Sequence, residues 1–356
     1  EQVLGYMVRH AFLNLCNHIW IEIHENNFIS CQDDGIGLPI ERIEGTNFSV
    51  MEAFIGRTFL DRSICETLLE PQPFWSNGRM VGGGVWIGIV PPLCEQFTFE
   101  TFRNGAWWRQ SYSEGLPTSE LVGIRDARAE TGRGTTFTFR PDFSIFEQND
   151  FDFDSITARA QEVAALIAGL TIEVRDLRTN PVREAKFHYA EGLKSRVEEL
   201  NADAKPLHDV VHLHETVTMP RKYGDDWMIQ VEIAFQFTEG ETTDVRGYAN
   251  TVFSRAGGTH IMALKTGLLA CLNESQQTAD YGQDHDLTWE ELSQGLTAMV
   301  SVYHPQPLYL DTVEVRIHNP EIFGQIAGMV YTSFNQRSGD NYFVLQRIIE
   351  HHLARR

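Results

Sequence analysis

"QDDGIGLP" (Gln32–Pro39) ends an alternating apolar stretch, "NFISCQD" (27–33), with two adjacent acids and two glycines. Alternation at period two predicts a strand, and the acid–glycine cluster predicts that it stops there. "HIWIEIH" (18–24) alternates in the same way, split from the first stretch by a polar "ENN" turn. Ahead of both, "EQVLGYMVRHAFLNL" (1–15) reads as a helix already under way. The chain is therefore expected to begin inside a domain, and no signal peptide is read at its start.

Downstream, "SVMEAFIGRTFLDRSICETLLE" (49–70) has helical spacing, and 96–113 alternates as strands around an "RNG" turn (103–105). "GTTFTFRPD" (134–142) is a further strand. "FDFDSITARAQEVAALIAG" (151–169) is an amphipathic helix, and "LTIEVRDL" (170–177) returns to strand. The acidic run 146–154 reads as a solvated loop into that helix's N-terminus, where negative charge is favourable. After the polar segment "EELNADAKPLHD" (198–209) come a strand at 227–237, a helix at 260–273, a strand at 295–303 and helices from about 320. The class is α+β, with two domains expected at 1–205 and 206–356.

A composition of 42% hydrophobic and 22% charged residues over 356 positions is that of a globular protein, with no apolar run of membrane-spanning length. The net charge of −20 makes DNA an unfavourable partner. Five cysteines (Cys16, Cys31, Cys65, Cys94, Cys271) form no CxxC pair. This pattern suits reduced thiols in the cytoplasm, not a disulfide framework or a zinc site. "HLH" puts His212 and His214 on one strand face, but no carboxylate or cysteine partner is visible beside them, so a solvated edge is expected and no metal.

"QDDGIGLP" resembles the adenine-binding D-x-G-x-G-x-P element of the DNA gyrase B protein and its topoisomerase IV relative. "WWRQSYSEG" (107–115) and "GRGTTFTFRPDFSIF" (132–146) resemble the core segments that follow in that family. "FHYAEGLKSRVEELN" (187–201) is similar to the family's interdomain junction. "AGGTHIMALKTGLLACLN" (256–273) and "QGLTAMVSVYHPQP" (294–307) are similar to its transducer domain. The resemblance implies a Bergerat (GHKL) α/β sandwich followed by a ribosomal-S5-like transducer domain. It implies no function by itself, because function resides in the site.

ATP hydrolysis in such a site needs a general base, a metal ligand, and glycines and cations around the transferring phosphate. Aligned without gaps to the family's E-V-V-D-N-S-x-D-E-A helix, the base position falls on Gln2, whose amide takes no proton at neutral pH. The metal-binding asparagine falls on Tyr6, and two acidic positions become Gly5 and Arg9. A gapped alignment would use His10 and Asn14 instead, at the cost of a long deletion. "RMVGGGVWIGIVPP" (79–92) occupies the place of the phosphate loop G-G-L-H-G-V-G. There Val85 and Trp86 follow Gly84, and Pro91 and Pro92 remove amide donors. The transducer lysine that reaches phosphate corresponds to Glu314, and Ile36 replaces an arginine of the pocket rim.

Against the resembled family, the adenine end keeps Asp33, Gly35, Gly37 and Thr135, and Arg109 also survives. Asp33 has two readings: a buried relic of the fold, or a live ligand anchor. Trp86 is either a core filler or a stacking wall. Gln2, Tyr6 and Arg109 either form a hydrogen-bonding cluster toward a substrate or sit on a helix face and surface. Together the replacements imply no ATPase activity and no cofactor. The former nucleotide pocket, formed by Asp33, Gly35, Ile36, Gly37, Gly84, Val85, Trp86 and Thr135, is expected to be more apolar and to bind an apolar small molecule. Cofactor-free cyclisation of the Diels–Alder, decalin-forming type in natural-product biosynthesis is the most concrete expectation. A non-catalytic decoy or regulator that binds gyrase inhibitors or gyrase subunits is the alternative, an active topoisomerase ATPase fragment is the less favoured third reading, and a homodimer is compatible with the first two.

Overall fold

A computed structural model describes residues 2–12, 16–42, 49, 52, 75–76, 79–80, 87–124, 133–146, 150–220, 226–278, 287–310, 316–335 and 340–354. The chain falls into two compact units, Glu1–Arg79 with Gly84–Gly192, and Met80–Gly83 with Leu193–Arg356.

The first unit opens with α1 (Gln2–Phe12), whose buried Val3, Leu4, Met7, Val8 and Ala11 recur at helical spacing. Its strands are β1 (His18–Ile23), β2 (Ile29–Asp33), β3 (Cys94–Arg103), β4 (Ala106–Ser113), β5 (Leu116–Pro117), β6 (Val122–Ile124) and β7 (Thr135–Pro141), then β8 (Thr171–Asp176) and β9 (Arg183–His188). Among the described residues they form one sheet ordered β9-β8-β1-β2-β7-β3-β4-β5, with β6 also on β4. Only β1 and β8 run parallel; the other pairs are antiparallel. The register aligns Val174, Ile21, Cys31, Phe137 and Phe99 across five strands, all buried on one face. The turn 104–105 closes β3 onto β4 with Asn104 and Gly105 both at positive φ, as a two-residue hairpin turn requires.

The helix α2 (Phe153–Ala164) is shorter than the expected 151–169. Asp152 caps it by accepting from the Ser155 N–H at 2.9 Å, and the chain turns out by Gly169 at φ +79. Of the expected helix 49–70, only Ser49 and Glu52 are among the described residues; they exchange the reciprocal hydrogen bonds of a capping box.

The second unit begins with α3 (Leu193–Leu200), then β10 (Val211–Met219), β11 (Trp227–Phe237), β12 (Asp244–Ala249) and β13 (Val252–Phe253). The long helix α4 (Thr259–Thr278), the short α5 (Trp289–Leu292), β14 (Leu296–Tyr303), α6 (Glu321–Asn335) and α7 (Asp340–Ala354) complete it. Its sheet runs β10-β11-β14-β12-β13. The odd-numbered residues Ile229 to Phe237 of β11 are packed in one buried cluster with Leu264, Leu268, Ile326 and Val330 of α4 and α6. Asn201, just after α3, ties that helix to the sheet. Its Nδ2 donates to Gln236 Oε1 at 2.9 Å, and its Oδ1 accepts from Thr297 Oγ1 at 2.8 Å.

His260, in the first turn of α4, has no solvent exposure, and a Cβ on Gly247 would lie 2.2 Å from its Nε2. Burial pushes its imidazole down from 6.5 to about 4. The folded state therefore holds this ring neutral where the unfolded chain protonates it. Stability from this group is whole above pH 6.5 and is lost as pH falls toward 4, by about 3 kcal/mol. Urea denaturation between pH 7 and 4 should show a shallower acid loss in His260→Asn than in the parent chain.

Candidate ligand-binding site

The core face of the first sheet is largely apolar, with buried Gln110 opposite Phe99 and Asp176 opposite Ile23, and it turns polar in its last row. Asp33 closes β2 opposite Ile19, and Thr135 opens β7 opposite Thr101, which in turn faces Trp108 of β4. Asp33, Thr135 and Thr101 are wholly buried. A buried carboxylate is costly unless its oxygens are hydrogen-bonded. Here Asp33 Oδ1 accepts from the Gly35 N–H at 2.8 Å and from the Thr135 N–H at 3.2 Å. The neighbouring Asp34 turns to the other side of the chain, where its Oδ1 accepts from the Asn17 and His18 N–H groups at 2.8 and 3.0 Å. The two acids thus divide the work: one anchors the loop, the other caps the start of β1.

Glycine is required at two positions here because backbone passes close to backbone. At Gly37, φ is +77 and a Cβ would lie 2.0 Å from the Phe102 carbonyl oxygen. At Gly134, φ is +89 and a Cβ would lie 1.8 Å from the Asp33 carbonyl oxygen. The loop 34–38 is thereby laid across the ends of β3 and β7. Leu38 is buried, and its N–H donates to Thr101 Oγ1 at 2.6 Å. Ile36 is 37% exposed at the loop's crest, and its carbonyl accepts from Arg103 Nη1 at 3.5 Å.

Asp33, Gly35, Gly37 and Thr135 are brought together as one floor, with Ile36 at its margin. Arg109 is not joined to them. It lies opposite Glu100, one residue out of step with the Thr101–Trp108 pair, so it faces the other side of the sheet. There it is half-exposed and paired with Glu100. The side chains of Gln2 and Tyr6, together with Gly84, Val85, Trp86 and Glu314, lie outside the described residues, as do those of Arg9, His10 and Asn14. Thr101 and Arg103 belong to this neighbourhood and were not singled out from the sequence. The alternation of "FTFETF" carries the signal for Thr101, since Phe97 and Phe99 put position 101 on the core face.

A buried carboxylate next to two hydroxyls suits a ligand group that presents a hydrogen-bond donor. The thiols of Cys31 and Cys94 are buried, and burial pushes both up to about 12, so neither is a nucleophile at neutral pH. Among the described residues, no group of three or more His, Cys, Asp or Glu is placed to hold a metal ion. His212 Nε2 lies 2.9 Å from Glu232 Oε1 on a neighbouring strand, and His214 is exposed.

Replacing Gly134 or Gly37 by Ala adds both a strained φ and a backbone clash, and should cost roughly 2–5 kcal/mol. Gly105→Ala has a similar φ but open space around its Cβ, and should cost only about 1 kcal/mol. Urea denaturation of the three variants measures the difference.

Residues 192–356 match the family model described as DNA gyrase B. The DNA gyrase B protein of Thermotoga maritima is 31% identical over 328 residues, covering 90% of this chain and 49% of that protein. That of Haloferax volcanii is 28% identical over 366 residues, covering 100% of this chain and 54% of that protein. The chain therefore spans about half the length of the curated relatives it matches. Among solved structures, the ATPase domain of Thermus thermophilus gyrase B in complex with an aminocoumarin superposes with a TM-score of 0.77 at 25% identity, covering 99% of this chain and 87% of that one. The gyrase B protein of Myxococcus xanthus gives 0.74 at 20% identity, over 100% and 92% of the respective chains, a likeness of fold. With the anchored D-x-G-x-G loop in the first unit and the matched second unit, this chain belongs to the DNA gyrase B family, as a GHKL-plus-transducer region.

Proposed function

We propose that this chain is a gyrase B-like protein without ATP hydrolysis, whose former nucleotide pocket binds an apolar small molecule. The observation that carries the reading is a contrast within one site. The floor of Asp33, Gly35, Gly37, Thr135 and their hydrogen bonds is intact. The positions that would act on phosphate read Gln2, Tyr6, Val85, Trp86 and Glu314. Binding depends on the floor, whereas hydrolysis depends on a base, a metal ligand and a cation, and each of these has changed chemical type. An amide at Gln2 accepts no proton, and a carboxylate at Glu314 repels phosphate.

The enzymatic form of the proposal is a cofactor-free cyclisation. A shaped apolar cavity accelerates such a reaction by holding the reacting ends together, while a donor–acceptor pair at the floor orients the substrate. Asp33 and Thr135 are closed to solvent, so a ligand reaches them only by displacing what covers them. A second reading is a non-catalytic binder of gyrase inhibitors. It is favoured by the retained floor and by the relative from Thermus thermophilus, which was crystallised with an aminocoumarin.

The purified chain should release no phosphate from ATP with Mg²⁺ above a no-protein control. In thermal-shift titrations, polycyclic apolar compounds should raise Tm where non-hydrolysable ATP analogues do not. Asp33→Asn, which keeps one acceptor oxygen, should weaken binding of a stabilising compound roughly 10- to 100-fold, as loss of a hydrogen bond to a charged group does. Mg²⁺-dependent phosphate release, or a Tm response to ATP analogues alone, would sink the proposal. Turnover of a linear polyene substrate separates the cyclase form from the binder.

A further inference from the structure

Thr101 carries a hydroxyl on the core face of β3, between Phe99 and the hairpin, with no solvent exposure. A hydroxyl has one proton to give and two lone pairs to receive. One lone pair of Thr101 Oγ1 takes the buried Leu38 N–H at 2.6 Å. Its proton has two acceptors in range, Thr135 Oγ1 at 3.1 Å and the Gly134 carbonyl at 3.5 Å. The Gly134 carbonyl already receives the Phe102 N–H at 2.9 Å and is the more distant of the two. The two hydroxyls therefore share one hydrogen bond, and Thr101 Oγ1 ties the Leu38 amide to the Thr135 side chain.

We infer that Thr101 is a positioning residue for the pocket floor: it fastens the 34–38 loop by its amide and holds the Thr135 hydroxyl in place through their shared hydrogen bond. The floor then presents the Thr135 hydroxyl beside the Asp33 carboxylate. No other side-chain atom is hydrogen-bonded to the Leu38 amide among the described residues. Alongside, a Cβ on Gly37 would lie 2.0 Å from the Phe102 carbonyl oxygen, so backbone passes close to backbone beside this hydrogen bond. The loop-fastening role stands on these distances alone. The role of the Thr135 hydroxyl toward a ligand rests on the ligand-pocket reading of the site.

Thr101→Val removes the hydroxyl at nearly constant shape, and Thr101→Ser retains it. Amide hydrogen exchange on the whole chain reads the first role without any ligand. In Thr101→Val, protection at Leu38 and Gly35 should fall roughly 10- to 100-fold while amides of β8 and α2 keep theirs, and Thr101→Ser should restore it. Unchanged protection at Leu38, or an equal loss throughout the unit that Ser does not rescue, overturns the inference. An aminocoumarin serves as the binding probe for the second role. Its affinity should fall at least about tenfold in both Thr101→Val and Thr135→Val, with the double variant no worse than the single ones. Additive losses overturn the coupling of the two hydroxyls. If the parent chain does not bind the probe, the pocket reading for this ligand class fails, and the exchange result decides the role of Thr101 by itself.

Discussion

One carboxylate oxygen, Asp33 Oδ1, holds the end of β2, the loop that follows and the start of β7 in a fixed relation. It does so by accepting two backbone N–H groups inside a solvent-free layer. A carboxylate in that position is costly unless such donors surround it, and the same bonds satisfy the amides of Gly35 and Thr135, which are themselves buried. The rest of the floor is built around this anchor. Gly134 has no Cβ because the Asp33 carbonyl lies where one would be, and Gly37 has none because the Phe102 carbonyl does. Thr101 completes the arrangement from the neighbouring strand by receiving the Leu38 amide.

The packing that holds the shape of this gyrase B family chain is separate from this anchor. The first sheet is held by rows of Ile, Val and Phe side chains, and the second unit by a separate cluster of β11 with α4 and α6. These aliphatic and aromatic groups carry the burial energy, so the fold does not rest on the chemistry that acts on phosphate. The floor around Asp33 is different. Its polar atoms are part of the packing, so it persists with the fold.

Much of the architecture was legible in the sequence because alternation at period two and spacing at 3.6 residues report directly on burial. The β3–β4 hairpin was visible as "RNG" between apolar alternations, since Asn104 and Gly105 are residue types that tolerate positive φ. The helix α2 was legible, but its end was not. The pattern of apolar residues continues past Ala164, and the turn at Gly169 is imposed by the need to start β8 beside β1. Thr101 was present in the alternation but its role was not, because its partners lie 63 and 34 residues away.

Element types and the acid–glycine loop follow from local properties, whereas the replacements at the family's phosphate positions are read only against the resembled motifs. Periodicity, turn chemistry and side-chain functional groups are written residue by residue and need no partner to be read. That Asp33 and Asp34, adjacent in the chain, serve opposite sides of it is not a local property. Nor is the pairing of Arg109 with Glu100 on the far face of the sheet, or the seat of Thr101 beneath the loop. Those outcomes depend on strand register, which pairs residues far apart in the chain, and a shift of one position sends a side chain to the opposite face.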